Sequence, residues 1–230
     1  MGIKYKVNES FFDKWNPVMA YVLGYWYADG SMYPSVRGSY ITVTSVDQDT
    51  IYKIKKWLES EHIIRESGSI WPNRKTRFTL RIGNKNVYKS LLELGLYPNK
   101  SLNIRFPNIP DRFLGHFVRG YFDGDGCVHI YKKKGKTQEE ILGGLVVVFT
   151  SGSKLFLEDL CLSLKSRLDL KRDKVYKGHR SFQLKYNTSD SAKLFNFMYR
   201  ECQSDLYLER KFKIFKQYFN LSKKYGAVAK

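Results

Sequence analysis

Two stretches of the chain carry apolar residues at helical spacing and stop at the same signal. The first, VLGYWYADG, occupies residues 22–30; the second, VRGYFDGDG, occupies residues 118–126. Asn16-Pro17 opens the first: a capping residue followed by proline at the first helical position, where its missing N–H is no loss. Asp111 opens the second in the same way. A glycine ends each helix pattern.

The patterns that follow repeat in order. In the first half, strands are expected at residues 31–33 and 39–45. Asp47 or Asp49 then caps an amphipathic helix whose apolar positions are Ile51, Ile54, Trp57 and Leu58. Strands at 69–71 and 77–82 precede a helix over 84–94, stopped by Gly95 and then Pro98. Residues 106–110 read as a linker. The second half predicts strands at 127–133 and 145–151, a helix at 154–167, strands at 174–176 and 181–186, and helices at 191–200 and 206–220. Residues 223–230 carry no pattern. The expected class is α+β, with two repeats dividing at residues 1–107 and 108–230, each near the usual domain size.

The paired helices carry the chemistry. Gly24 and Ala28 sit four apart in one copy, Gly120 and Gly124 in the other. On a helix these share a face, and small side chains there let a second backbone approach closely. Packing through those faces would bring the carboxylates of Asp29 and Asp125 together. An Asp at a helix C-terminus opposes the helix dipole, and two side by side repel. A divalent cation resolves both conflicts. Hard oxygens without nearby His or Cys favour magnesium over zinc, and two such metals around a phosphate can activate water and stabilise the leaving oxygen. Asp-Gly alone is a common turn signal; the duplication with matched small residues is what gives it weight.

The strands suggest what the chemistry acts on. In RFTLRI (77–82) one face shows Arg77, Thr79 and Arg81, the other Phe78, Leu80 and Ile82. SFQLKY (181–186) likewise sets Ser181, Gln183 and Lys185 against Phe182, Leu184 and Tyr186. After each motif helix, alternation places Tyr33, Ser35 and Arg37 on the outer face of the first half, joined by Thr42, and His129, Tyr131 and Lys133 on that of the second. Such faces can read base edges or hold phosphates, or they can simply be solvated. The loop at 132–136 is lysine-rich and reads as a phosphate grip or a hairpin tip.

Charge decides between these. Forty Lys and Arg against 22 Asp and Glu leave +18, which favours a polyanionic partner over a mixed solvated surface. No apolar run approaches 20 residues and no signal peptide opens the chain, so nucleic acid is preferred to membrane. Cys127, Cys161 and Cys202 are odd in number and widely spaced, and His62, His116, His129 and His179 are scattered; neither set forms a zinc pattern. Buried free thiols in a reducing intracellular compartment, cytoplasm or organelle matrix with access to DNA, are expected.

The two motif segments resemble the LAGLIDADG motif of homing endonucleases and related intron maturases, in the single-chain form with two copies. The resemblance spans nearly the whole chain. It implies two pseudo-symmetric αββαββα units forming a DNA-binding saddle, with the motif helices at the interface. It also implies that the last acidic residue of each motif, Asp29 and Asp125, binds metal, with Ala28 and Gly124 beside them in the metal site. Tyr27 departs from the motif's first Asp, which Asp123 keeps; that position usually binds no metal. By the same resemblance Lys100 and Lys211 approach the cleavage centre, one from each half, to stabilise phosphate charge or poise water. Ser45 and Ser151 fall where some relatives carry Gln near the scissile phosphates.

The expected activity is therefore magnesium-dependent cleavage of both strands of double-stranded DNA by a monomer, leaving short 3′ overhangs at a long asymmetric site. Calcium is expected to bind without supporting cleavage. An RNA-binding maturase acting on intron RNA, or a non-cleaving DNA-binding regulator of the same fold, are the alternatives.

Overall fold

The computed structural model describes residues 5–36, 38–68, 75–135, 138–202 and 206–224. The first repeat runs α1 (Pro17–Asp29), β1 (Gly30–Ser35), β2 (Gly38–Ser45), α2 (Gln48–Trp57), β3 (Ile64–Ser67), β4 (Arg77–Gly83) and α3 (Lys85–Glu93), then a 3-10 turn at Lys100–Leu102. The second runs α4 (Asp111–Asp125), β5 (Gly126–Lys134), β6 (Glu140–Ser151), α5 (Lys154–Lys165), β7 (Val175–Lys177), β8 (Phe182–Tyr186), α6 (Thr188–Tyr199) and α7 (Glu209–Lys224). Each repeat holds one four-stranded antiparallel sheet, in the orders β1-β2-β4-β3 and β5-β6-β8-β7. The α+β class and the αββαββα order hold in both repeats, the second carrying α7 as an extra helix.

Two compact units result: Met1–Lys100 with Pro107–Gly124, and Ser101–Phe106 with Asp125–Lys230. Thus α4, which heads the second repeat, packs in the first unit up to Gly124, and its last residue, Asp125, belongs to the second.

In the first unit, Ile41, Val43, Leu80 and Ile82 form the inner face of the sheet, buried under α2 and α3 with Ile51, Ile54, Val87 and Leu91. Each such side chain contributes roughly 1.5–3 kcal/mol through burial. In the second unit Leu145, Val147, Phe149 and Leu184 play the same part against Phe156, Leu160, Leu194 and Phe215. α1 is buried on all sides from Met19 to Tyr27, so its apolar residues wrap the whole helix.

Local signals place the element ends. The Asn16 side chain accepts from Met19 N at 2.9 Å, and Asn84 caps α3 through Asn86 N and Val87 N. Ser45 and Ser151 end equivalent strands on the inner face. Each hydroxyl accepts the main-chain N–H two residues on, from Asp47 and Ser153, both at 3.1 Å. These serines therefore shape the turn into the next helix. α2 begins after Asp47, not Asp49.

Several boundaries differ from the sequence reading. α6 starts at Thr188 rather than 191, because Thr188 and Ser191 accept main-chain N–H groups of β6, from Leu145 and Val147, tying its first turn to the sheet. β6 begins at Glu140, five residues before expected, and α7 begins at Glu209. The strand expected at 69–71 lies outside the described residues; the strand pairing with β4 is Ile64–Ser67. Lys132–Lys134 continue β5 instead of forming a loop. Cys161 is buried, but Cys127 is exposed because it falls on the outer side of β5.

Candidate functional site

α1 and α4 touch through their small residues. A Cβ at Gly24 would stand 2.1 Å from the Phe117 carbonyl oxygen, and one at Gly120 would stand 2.0 Å from that of Tyr21. At the C-terminal ends, a Cβ on Gly124 would meet the Ala28 Cβ at 2.4 Å and Asp29 Oδ2 at 3.3 Å. The four small residues read from the sequence are thus brought together; glycine at 124 makes room for the Ala28 methyl, with the Asp29 carboxylate beside it.

The helix crossing also holds a polar cluster that sequence reasoning missed. The Tyr21 hydroxyl donates to Asp123 Oδ2 at 2.8 Å. Arg119, fully buried, donates to His116 Nδ1 at 2.9 Å and stands 5.5 Å from the centre of the Tyr21 ring. Burial, and then the Arg119 charge, push His116 down to about 4. Burial first, and then the Asp123 carboxylate, hold the Tyr21 phenol well above its ordinary range. The signal available was an arginine in the middle of an otherwise apolar helix face. Asp123, the first acid of its motif, is buried in this cluster and turned to structural use. Tyr27, at the matching position, donates its hydroxyl to Leu94 O at 2.7 Å.

Each motif helix ends on a buried lysine. Lys100 Nζ donates to Tyr27 O at 2.6 Å and reaches Ala28 O at 3.5 Å, while Lys211 Nζ donates to Gly126 O at 2.6 Å. Both ammonium groups lie beneath the surface, with 6% and 4% of the residue exposed. A cation there answers the negative end of the helix dipole. Asp29 is half-buried and Asp125 exposed at the same helix ends. The Tyr25 hydroxyl, bonded to Ser45 Oγ at 3.0 Å, is held protonated by burial and then by the Asp29 charge.

The donors at these ends are hard oxygens: carboxylates with main-chain carbonyls at Ala28 and Gly124. Magnesium is usually held by one or two carboxylates with water and substrate oxygens, so the set fits that ion. Among the described residues no three His, Cys, Asp or Glu side chains gather, the pattern a protein-built zinc cage would need.

The outer faces carry the residues expected there. Arg77, Thr79 and Arg81 alternate outward on β4, with Thr42 directly opposite Arg81 and Thr79 bonded to Thr44 at 3.0 Å. Tyr33 and Ser35 share this face on β1, and Arg37 lies outside the described residues. His129, Tyr131 and Lys133 are exposed on β5, where a bulge follows Tyr131. Gln183 and Lys185 face outward on β8, whereas Ser181 precedes that strand and spends its hydroxyl on His179 O at 3.2 Å. Lys132 is paired with Glu140 at 2.7 Å. Tyr40, Thr44 and Arg65 on the first sheet, and Thr150 and Tyr176 on the second, also belong to the outer faces. Alternation extended along every strand would have found them.

No described helix is long and apolar enough to cross a membrane. Comparison with solved structures gives the same fold at low identity. The LAGLIDADG meganuclease I-AabMI, bound to uncleaved DNA, matches with a TM-score of 0.63 at 13% identity, over 93% of this chain and 92% of that one. The homing endonuclease I-WcaI, bound to its DNA recognition sequence, matches at 0.58 and 14%, over 90% and 91%. I-SmaMI, bound to an uncleaved DNA target in the presence of calcium, matches at 0.57 and 17%, over 94% and 95%. An uncharacterized protein of Methanocaldococcus jannaschii is 26% identical over 160 residues, 66% of this chain; the chain spans about half of that relative's length, 54%. The LAGLIDADG-like domain matches twice, over residues 16–95 and 112–197, one match on each repeat. With more than half its length matched in this way, the chain belongs to the LAGLIDADG-like domain family.

Proposed function

We propose that this protein is a site-specific, magnesium-dependent DNA endonuclease that cuts both strands of a duplex. The observation that carries the reading is repetition: each repeat has a motif helix ending in an Asp, with a buried lysine ammonium on the carbonyls at that end. A purely structural helix end needs a cap but no carboxylate set against the dipole.

In this reading Asp29 and Asp125 hold the metal, with Ala28 and Gly124 offering main-chain oxygens. Magnesium, when bound, supplies activation of the attacking water and neutralises charge on the leaving oxygen. Lys100 and Lys211 fix the helix ends and place positive charge near the phosphate that is cut. The outward-facing residues of the two sheets hold the duplex, and the excess of 40 basic over 22 acidic residues draws it in. The division at residues 107 and 108 makes each repeat responsible for one half-site. Because the repeats differ in sequence, the site is asymmetric, on the order of 20 base pairs. The protein acts as a monomer inside a reducing, DNA-containing compartment and leaves short 3′ overhangs.

The test is a cleavage screen against a randomised duplex library with magnesium. Asp29→Asn and Asp125→Asn are expected to lose double-strand cleavage and keep DNA binding. With calcium, the parent is expected to bind and not cut. Full cutting by either variant would show that the carboxylates do not carry the reaction. Binding without cutting by the parent would leave a DNA-binding protein of the same fold.

A further inference from the structure

Three side chains on the outer face of the first sheet form a cluster of their own. The Tyr33 and Tyr40 rings stack with centroids 5.4 Å apart and planes 22° from parallel. The Arg81 guanidinium carbon stands 4.1 Å from the Tyr40 centroid and 5.2 Å from that of Tyr33, so the cation leans over Tyr40 and closes a triangle with the two rings. Both distances are within cation–π range. The seat for Tyr40 is prepared on the neighbouring strand. Gly83 lies directly opposite it, and a Cβ there would come within 2.9 Å of the Tyr40 ring. The absent side chain lets the ring lie down towards β4, where Arg81 emerges on the same face two residues earlier.

What the cluster leaves undone points to its use. Arg81 Nε is buried without a hydrogen-bond partner, and among the described residues the terminal guanidinium nitrogens bond to nothing and no carboxylate pairs with Arg81. The cation is therefore held by ring faces while its terminal N–H donors stay unspent. It opens, with Tyr40, Ser39 and Arg65, on a cleft of about 990 Å³. A guanidinium fixed in this way keeps its fork free for a planar pair of acceptors, and it forfeits little rotamer freedom on binding.

We infer that Tyr40, seated by Gly83, is a positioning residue that holds Arg81 ready to read a single guanine of the DNA site through O6 and N7. The inference rests on the endonuclease reading for its ligand, but on DNA binding alone, not on cleavage. Bidentate arginine to guanine is the commonest specific contact in a major groove. An exposed arginine on a flexible stem is as useful for a phosphate; one pinned by two rings suits a base, whose edge demands a fixed approach.

The experiment selects bound duplexes from a randomised library with the full chain in calcium, and sequences them. The parent is expected to show one column strongly favouring guanine. Arg81→Lys should flatten that column by about 5- to 150-fold, leaving the other columns as they are. Tyr40→Leu, at parental melting temperature, should weaken the same column by about two- to fivefold, and Tyr40→Phe, which keeps the ring face, should restore it. Gly83→Ala displaces the ring without removing it and should weaken the same column, giving a second route if Tyr40→Leu folds poorly. An unchanged column in both Tyr40→Leu and Gly83→Ala overturns the inference. So does a uniform loss of binding across all sequences in Arg81→Lys, which marks a phosphate contact. If the parent enriches no duplex at all, the endonuclease reading falls and takes this inference with it.

Discussion

Gly120→Ala adds one carbon, and the structure gives the consequence. The new Cβ would stand 2.0 Å from Tyr21 O and 3.0 Å from Tyr25 N, both backbone atoms that no rotamer change can move. Reaching an ordinary contact of about 3.4 Å requires α1 and α4 to part by about 1.4 Å at the crossing. Overpacking of this kind costs about 1–3 kcal/mol. The same movement would stretch the 2.8 Å Tyr21–Asp123 hydrogen bond out of range. A bond to a charged group is worth about 1.5–3 kcal/mol. Replacing glycine by alanine inside a helix returns about 1 kcal/mol. The net expectation is a loss of about 1.5–5 kcal/mol, a large share of the roughly 5–15 kcal/mol of a typical domain.

Denaturant unfolding at constant m-value measures the loss. Gly68→Ala is the control, since a Cβ there meets nothing within 4 Å among the described residues; it should stay within about 0.5 kcal/mol of the parent. Gly24→Ala, whose Cβ would stand 2.1 Å from Phe117 O, should cost about as much as Gly120→Ala. The double variant should cost clearly less than the two together, because helices already parted by one alanine have room for the other. An unfolding midpoint for Gly120→Ala equal to the parent's, or strict additivity in the double variant, would refute the close crossing.

Four further outcomes are expected. His116 is pushed down to about 4 in the folded protein, so the fold binds its neutral form; its contribution is full above pH 6.5 and is lost as pH falls from about 6.5 to about 4. His62, lowered by burial, acts in the same direction, and His116→Gln should reduce the slope of stability against pH in that window, a null change counting against the His116–Arg119 contact. Lys100→Met and Lys211→Met should each lower stability by about 1.5–3 kcal/mol and slow cleavage while binding in calcium persists; parental stability would mean the ammonium–carbonyl bonds hold nothing. A thiol reagent, followed by mass spectrometry, should modify exposed Cys127 in the native protein and reach buried Cys161 only on unfolding, and rapid native labelling of Cys161 would contradict its burial.

How far the sequence revealed the fold depended on the scale of the feature. Periodicity over ten residues or more located every long helix, and period-two alternation assigned the correct faces of β4 and β8, because both reflect burial of one side of a regular element. Boundaries went astray where a side chain from another element intervened. α6 gains its first turn from Thr188 and Ser191 bonding to β6, a contact more than 40 residues away in sequence. β6 extends back to Glu140 through a bulge opposite Tyr131, where Gly143 supplies the extra residue, and a bulge breaks the alternation on which strand prediction depends.

The site divided along the same line. The four small residues of the crossing, and the two helices that end at Asp29 and Asp125, were legible because duplication printed them twice at matched offsets. The buried places of the two lysines were not legible in the residues around them, since nothing near Lys100 or Lys211 in sequence announces that each will bury its ammonium on a main-chain carbonyl at or just past the end of a motif helix far away in the chain. Arg119 was missed for a related reason. Taken singly, a charge in an apolar helix looks like an interruption, and its sense appears only when His116, Tyr21 and Asp123 surround it. That cluster joins the small-residue crossing to the helix ends. Asp123 lies one residue before Gly124 and two before Asp125, and its bond to Tyr21 ties α4 to α1 at that turn. The backbone contacts at Gly24 and Gly120 set how closely the helices approach, and the Tyr21–Asp123 bond limits how they slide. Either alone leaves one motion open to α4; together they fix α4 against α1 as far as Gly124.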